Sequence, residues 1–256
     1  MDKTYREQFV CQSDALSYET QYVPMSAWEL LWQVEKMYLT QIVENLRQSS
    51  AKIDYLDFAC GTGRIIAFLE DKVDTATGIE ISPEMMALAQ QKLRRGALLC
   101  KDITAPSAEV EGAYDLITTF RFILNAEPSL RVTAFKGLAA RLKDESSLLV
   151  FNNHGNPWSY KGLLWPYHQV CQAIFGDRRE GNYMTNQQVR ALLDEAGMEV
   201  VQVIGMGFIS PKIMQLLPYA LCEKIERLLA GKPVIQAFGV NQLFVARLKR
   251  SKSFKG

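Results

Sequence analysis

Between residues 53 and 151, short and almost uninterrupted apolar runs alternate with stretches of helical periodicity. The runs read as strands over 53–58, 75–81, 97–101, 114–120 and 147–152, with helices near 63–71, 83–94 and 128–143 between them. Strands this apolar cannot sit with one face in water, so the alternation implies a parallel sheet covered by helices on both sides. Right-handed crossovers then make it a doubly wound α/β sandwich. Ser82-Pro83-Glu84 supports the helix starts, offering an N-cap, a proline in the first turn and an acid beside the positive end of the helix dipole. Met85, Leu88, Ala89 and Leu93 follow at helical spacing, as do Phe135, Leu138 and Leu142 later.

The 256 residues exceed what this unit needs, and the surplus lies in three places. Residues 1–50 hold a helix near 26–48 with a stripe of Trp28, Leu31, Trp32, Tyr38, Leu39, Ile42 and Leu46, which reads as an N-terminal helical lid. The remainder, 51–256, reads as the core, with insertions at 154–184 and 206–240, a helix near 186–196, a strand near 199–205 and a last strand near 242–248. With 29 Lys+Arg against 28 Asp+Glu the chain shows no basic excess, which argues against nucleic acid as partner. Cys11, Cys60, Cys100, Cys171 and Cys222 form no CxxC pair, and with two histidines the chain lacks a recognisable zinc ligand set. The first ten residues have no apolar signal core, and uncharged stretches such as 200–211 are too short to span a bilayer. A cytoplasmic protein with no membrane partner, monomeric or homodimeric, is expected.

The chemistry concentrates where the first strand ends. Gly61 and Gly63, in Ala59-Cys60-Gly61-Thr62-Gly63, let the backbone turn tightly and approach a ligand at the start of a helix. Glu80 closes the next strand, where a carboxylate can accept from a ribose diol. Asp102 follows the third strand, where an acid can accept from an exocyclic amine such as that of adenine. Either acid alone is as well read as a solvated cap. The ordered set points to a nucleoside-containing ligand at the carboxyl ends of the strands. A dinucleotide fingerprint would place a small third residue where this chain has Ile66, which counts against NAD or FAD.

The segments Leu56-Asp57-Phe58-Ala59-Cys60-Gly61-Thr62-Gly63, Gly78-Ile79-Glu80-Ile81-Ser82-Pro83-Glu84-Met85-Met86, Lys101-Asp102-Ile103 and Tyr114-Asp115-Leu116-Ile117-Thr118-Thr119-Phe120 resemble the class I S-adenosylmethionine-dependent methyltransferases, most closely bacterial small-molecule N- and O-methyltransferases. The resemblance covers roughly residues 50–150. It implies a Rossmann-like seven-stranded, mostly parallel sheet with the last strand antiparallel, and S-adenosylmethionine as cofactor with S-adenosylhomocysteine as product. It also implies roles. The backbone of Ala59, Cys60, Gly61 and Gly63 would line the methionine part, and Asp57 would order that loop or reach the amino group. Glu80 would bind the ribose hydroxyls, Ile81 would pack on adenine, Asp102 would accept from its amine, and Ile103 N–H would face the ring. Phe120 would sit at the methionine end, and Met85 joins this cofactor group. The chain departs from the family after the fourth strand, where many members have a histidine and this one has Phe120-Arg121-Phe122-Ile123-Leu124-Asn125.

On the acceptor side, His154 follows the fifth strand and is the candidate general base. Its alternative is a loop histidine with no chemical role. Arg121 can pair with a carboxylate or phosphate of the acceptor or form a structural salt bridge. Tyr22, Asn125, Asn153 and Trp158 complete the candidate acceptor wall, and Asn152 and Asn153 can equally serve loop backbone groups. Glu35 falls inside the apolar stripe of the N-terminal helix and needs a partner there; a buttress of the lid is expected. His168 reads as packing. Tyr18, Tyr160, Trp165, Tyr167 and Tyr183 add aromatic surface outside the core that can exclude water from a pocket. The expected activity is methyl transfer to N or O of a small metabolite or natural-product intermediate. A non-catalytic S-adenosylmethionine-binding module, or methylation of a macromolecule, is the alternative.

Overall fold

The computed structural model describes residues 22–102, 112–163 and 183–250. In chain order it forms helix α1 (Ala27–Ser49), β1 (Asp54–Phe58), α2 (Arg64–Leu69), β2 (Thr75–Glu80), α3 (Pro83–Lys92), β3 (Ala97–Cys100), β4 (Leu116–Thr119), α4 (Pro128–Ala139), β5 (Leu148–Asn153), α5 (Tyr160–Leu163), α6 (Asn186–Glu195), β6 (Met198–Met206), α7 (Pro211–Met214), α8 (Tyr219–Leu229), a short 3-10 turn (Gln236–Phe238) and β7 (Asn241–Leu248). The strands build one sheet in the order β3-β2-β1-β4-β5-β7-β6. β1 to β5 pair in parallel, and β7 runs antiparallel to both β5 and β6. Chain direction along the sheet order therefore reverses between β1 and β4, the switch point at which α/β sheets open a crevice.

Alternating strand residues enter two separate cores, which is why the strands read as continuous apolar runs. Leu56, Ile117, Leu149, Phe151 and Phe244 face a core closed by Phe135 and Leu138 of α4 and Val189 and Leu193 of α6. Tyr55, Leu116, Val150 and Val245 face a second core closed by Leu39, Ile42, Val43 and Leu46 of α1 and by Ile65, Ile66 and Leu69 of α2. Most of α1 is thus a layer of the sandwich. Only its first turns, with Trp28 and the preceding Tyr22, reach the ligand-facing edge of the sheet. The Ser26 hydroxyl caps α1 by accepting from Glu29 N–H at 3.0 Å, and the Ser82 hydroxyl caps α3 by accepting from Met85 N–H at 3.2 Å.

The segment between β6 and β7 folds back onto α1. Glu226, buried on α8, accepts from Gly207 N–H at 3.0 Å and Ile209 N–H at 2.6 Å, and Tyr38 of α1 donates to Ala230 O at 2.8 Å. Among the described residues, no helix is long and apolar enough to cross a membrane, and no group of three or more His, Cys, Asp or Glu is placed to hold a metal ion.

Candidate active site

The turn after β1 visits left-handed backbone three times, at Ala59 (φ 54°), Gly61 (φ 55°) and Gly63 (φ 78°). The two glycines differ in what surrounds them. A Cβ on Gly63 would lie 2.8 Å from Ala89 Cβ, because α3 packs directly against the start of α2. A Cβ on Gly61 would meet no atom within 4 Å, so this position faces open space. The hollow there is lined by Asp57, Ala59, Cys60, Gly61, Thr62, Arg64, Ile65 and Phe120.

Two buried carboxyl groups hold the turn. Glu80 Oε2 accepts from Gly61 N–H at 2.9 Å, and its Oε1 accepts from Ile81 N–H at 2.8 Å and Ser82 N–H at 2.9 Å. Burial pushes the Glu80 carboxyl above the usual carboxylate range, and these three bonds pull it partly back. A carboxylate offers about four acceptor directions, so the turn leaves roughly one for a ligand hydroxyl. Asp57 lies beneath α2. Its Oδ2 accepts from Ile66 N–H at 3.1 Å, doing the work that the side-chain-less N-cap Gly63 cannot, and its Oδ1 accepts from the Thr118 hydroxyl at 2.6 Å. Thr118 in turn bonds Tyr55 OH at 2.6 Å. Burial raises the Asp57 carboxyl to about 7 against these hydrogen bonds. A carboxyl group under the helix start disfavours a pyrophosphate there, which agrees with Ile66 standing where a dinucleotide fold needs a small residue.

Above the hollow a polar chain joins α1 to the strand ends. Glu35, 3% exposed, accepts from Arg64 Nη1 at 3.1 Å and from Asn241 Nδ2 at 2.8 Å. Asn152 Nδ2 donates to Asn241 Oδ1 at 3.2 Å, and Asn152 Oδ1 accepts from Arg121 N–H at 2.7 Å. The Arg64 guanidinium lies between Tyr22 and Trp32, at 4.2 and 4.4 Å from their ring centroids. Arg121 lies over Trp28 at 4.0 Å and near Tyr22 at 5.4 Å. Lys161 Nζ is 5.7 Å from the centroid of the same Trp28 ring. His154, just past β5, is partly buried, and its Nδ1 has no hydrogen-bond partner. Burial, then the charges of Arg121 and Lys161, lower the imidazole to about 3, so it is neutral at physiological pH.

Comparison with known proteins matches residues 56–145 to the methyltransferase domain family. Over those residues the chain is similar to a methyltransferase domain. A Geobacillus protein described provisionally as a methyltransferase is 31% identical over 136 residues, 51% of each chain, so the match spans about half the length of that relative. Among solved structures, a Thermotoga maritima protein described as a possible histamine N-methyltransferase aligns with 94% of this chain and 99% of its own at TM-score 0.60 and 15% identity. The magnesium protoporphyrin IX methyltransferase of Synechocystis, solved with S-adenosylhomocysteine bound, covers 84% of this chain and 83% of its own at TM-score 0.56 and 15% identity. The seven-stranded sheet with its reversed β7 is the fold of these methyltransferases.

The cofactor-side residues expected from sequence gather at the ends of β1, β2, β3 and β4. Asp57, Ala59, Cys60, Gly61 and Phe120 line the hollow, Gly63 packs the helix start, and Glu80 and Ile81 close the turn. Asp102 stands just beyond β3, partly buried, and Ile103 lies outside the described residues. Met85 is buried on α3.

The acceptor-side set divides. Tyr22, Arg121 and His154 come together. Asn125 is engaged by the turn, its Nδ2 donating to Arg121 O at 2.6 Å. Asn153 is fully buried, donating to Met184 O at 2.8 Å and accepting from Gly155 N–H at 3.3 Å. Trp158 is 67% exposed. Tyr18, Trp165, Tyr167 and His168 lie outside the described residues. Sequence reading missed Lys161, Arg64 and Asn241. A signal existed for Arg64, since the buried-stripe Glu35 required a cation. Lys161, one lysine in an aromatic stretch, carried none.

Proposed function

We propose that the chain transfers a methyl group from S-adenosylmethionine to a nitrogen or oxygen of a small-molecule acceptor in biosynthesis, as a cytoplasmic monomer or homodimer that needs no nucleic acid. The observation that carries this reading is the hollow at the switch point, where the chain turns through Ala59 and Gly61 and the missing Cβ of Gly61 faces open space. A ligand without phosphate suits it, because Asp57 already bonds the Ile66 amide at the helix start. Residues 59–63 would cradle the methionine part, Glu80 would use its remaining acceptor direction on the ribose, and Asp102 would take the adenine amine. When bound, S-adenosylmethionine supplies a methyl group already activated by its sulfonium, so positioning and exclusion of water can provide much of the rate.

The rim residues do that positioning. Tyr22 and Trp28 roof the strand ends, held by the cations of Arg64 and Arg121. Neutral His154 can accept a hydrogen bond from an acceptor N–H or O–H. Burial, and after it the charges of Arg121 and Lys161, make it a weak final proton acceptor, so its role is to orient the acceptor.

The test is incubation with methyl-labelled S-adenosylmethionine and a panel of hydroxyl and amine metabolites, following label transfer and S-adenosylhomocysteine release. Transfer to one acceptor class supports the reading. Cofactor binding with no transfer to any acceptor moves the assignment to a non-catalytic binding module.

A further inference from the structure

The α7–α8 unit between β6 and β7 has two apolar faces, and the fold covers one of them. On the inner face Met214, Leu217, Cys222 and Ile225 pack with Ile209 and with Leu30 of α1. On α8, Leu221, Lys224 and Leu228 stand at i, i+3 and i+7, on the side of the helix opposite the buried Cys222 and Glu226. All three are exposed, Leu228 to 59%. α7 and the turn after it repeat the pattern, with Ile213 exposed beside exposed Lys212, and Leu216 exposed to 82%. Single exposed apolar side chains are ordinary, but four on one short unit, two of them on one helical arc, mark a docking surface.

The charges on the unit say what fits this surface. From residue 207 to 235 the chain has two acids, and both are engaged. Glu226 is turned inward onto Gly207 N–H and Ile209 N–H, and Glu223 accepts from Arg227 Nη2 at 2.7 Å. Lys212 and Lys224 are exposed, and among the described residues no ion pair holds either of them. Two copies meeting through this face across a two-fold axis would set the same lysines against each other with no acid to answer them. A surface both apolar and anionic answers leucines and lysines together, and that is the character of an anionic lipid–water interface. We propose that α7 and α8 dock peripherally on an anionic lipid surface, with Leu216, Leu221 and Leu228 among the headgroups and Lys212 and Lys224 on their negative charges. The absence of a spanning stretch led to an expectation of no membrane partner, but a peripheral contact needs no such stretch. Docking there also sets the crevice toward the lipid. The unit leaves the sheet at Met206, which pairs with Asn241, while the adjacent Gln242 pairs with Asn153 at the carboxyl end of β5, so it emerges at the ligand-facing edge.

The test is flotation of the full-length protein with vesicles of phosphatidylcholine alone and of equal parts phosphatidylcholine and phosphatidylserine, at low and at raised salt. Binding to the phosphatidylserine vesicles that weakens with salt is expected, with little on phosphatidylcholine alone. Lys212→Gln combined with Lys224→Gln should weaken it at least tenfold, each lysine near such a surface counting for roughly fivefold. Leu216→Ser combined with Leu228→Ser should also weaken it at least tenfold. All four side chains are exposed, so both double variants should melt with the parent, which separates a lost docking face from a lost fold. Leu216→Trp should add fluorescence that vesicles with brominated acyl chains quench. No flotation with phosphatidylserine, or flotation that either double variant leaves intact, overturns the proposal. Flotation without quenching of Leu216→Trp would put another face on the lipid and overturns it as well. So does a dimer in analytical ultracentrifugation that Leu216→Ser with Leu228→Ser dissolves, which would assign the face to a second copy of the chain.

Discussion

Alanine placed singly at Gly61 and Gly63 should separate folding from ligand binding. Both positions have left-handed backbone, so each alanine costs roughly 1–2 kcal/mol in conformation. Removing a glycine from the unfolded chain returns about 0.4–1 kcal/mol of that. At Gly63 the new methyl would sit 2.8 Å from Ala89 Cβ and 3.0 Å from Ala89 Cα, well inside normal carbon contact, with helix backbone on the far side that cannot rotate away. Overpacking of this kind adds about 1–3 kcal/mol. The expected total for Gly63→Ala is about 2–4 kcal/mol, a large part of the stability of an ordinary domain. At Gly61 the methyl would point into the hollow and meet no protein atom within 4 Å, so Gly61→Ala should destabilise by at most about 1.6 kcal/mol. The same methyl would collide with anything bound there, which should lower ligand affinity roughly 10- to 100-fold. Urea denaturation followed by tryptophan fluorescence gives the stabilities, and calorimetry with S-adenosylhomocysteine gives the affinities. If Gly61→Ala binds like the parent chain, the hollow is not the ligand site. If it unfolds the protein as strongly as Gly63→Ala does, the division of labour between the two glycines is wrong.

Further outcomes follow from the buried charges. Asp57 is raised from 3.8 to about 7 in the fold, so between those values the native state keeps a proton that the unfolded chain has lost. Its contribution is therefore fully present below pH 3.8 and is lost as pH rises through about 7, an effect of up to about 4 kcal/mol. Asp57→Asn can donate to Thr118 and still accept from Ile66, so it should gain stability over the parent at pH 8 and lose that gain by pH 5. A pH series of urea melts checks this, and a difference independent of pH would count against it. Glu35→Ala removes the buried carboxylate that accepts from Arg64 and Asn241 and should cost about 3 kcal/mol. Glu35→Gln can still accept from Asn241 and should cost less; thermal melts showing the two variants equal would remove Glu35 as the buttress of α1.

The parts of the fold legible in the sequence were those that short-range pattern governs. Both-face burial made β1, β4 and β5 largely apolar runs, and Ser82-Pro83-Glu84 marked the start of α3 within the chain itself. The glycine turn was legible for the same reason, since left-handed backbone beside a helix start demands those residues. Roles set by partners distant in sequence were not. Asn125 and Asn153 resemble acceptor ligands until Arg121 O and Met184 O are seen to engage them. Glu80 reads as a free ribose acceptor until three backbone amides occupy most of it. The N-terminal helix reads as a lid because its stripe is aromatic, yet the aliphatic half of that stripe is buried against the sheet. Lys161 became visible only when the chain after β5 brought it to the Trp28 ring already occupied by Arg121.

The most direct test of the central claim, that the β1–β4 crevice takes a nucleoside ligand without pyrophosphate, is calorimetric titration of the intact protein with S-adenosylhomocysteine and, in parallel, with NAD. One saturable site for S-adenosylhomocysteine, weakened at least tenfold by Gly61→Ala, and no heat of binding with NAD is the predicted result. Binding of NAD with none of S-adenosylhomocysteine, or silence with both ligands, would contradict it.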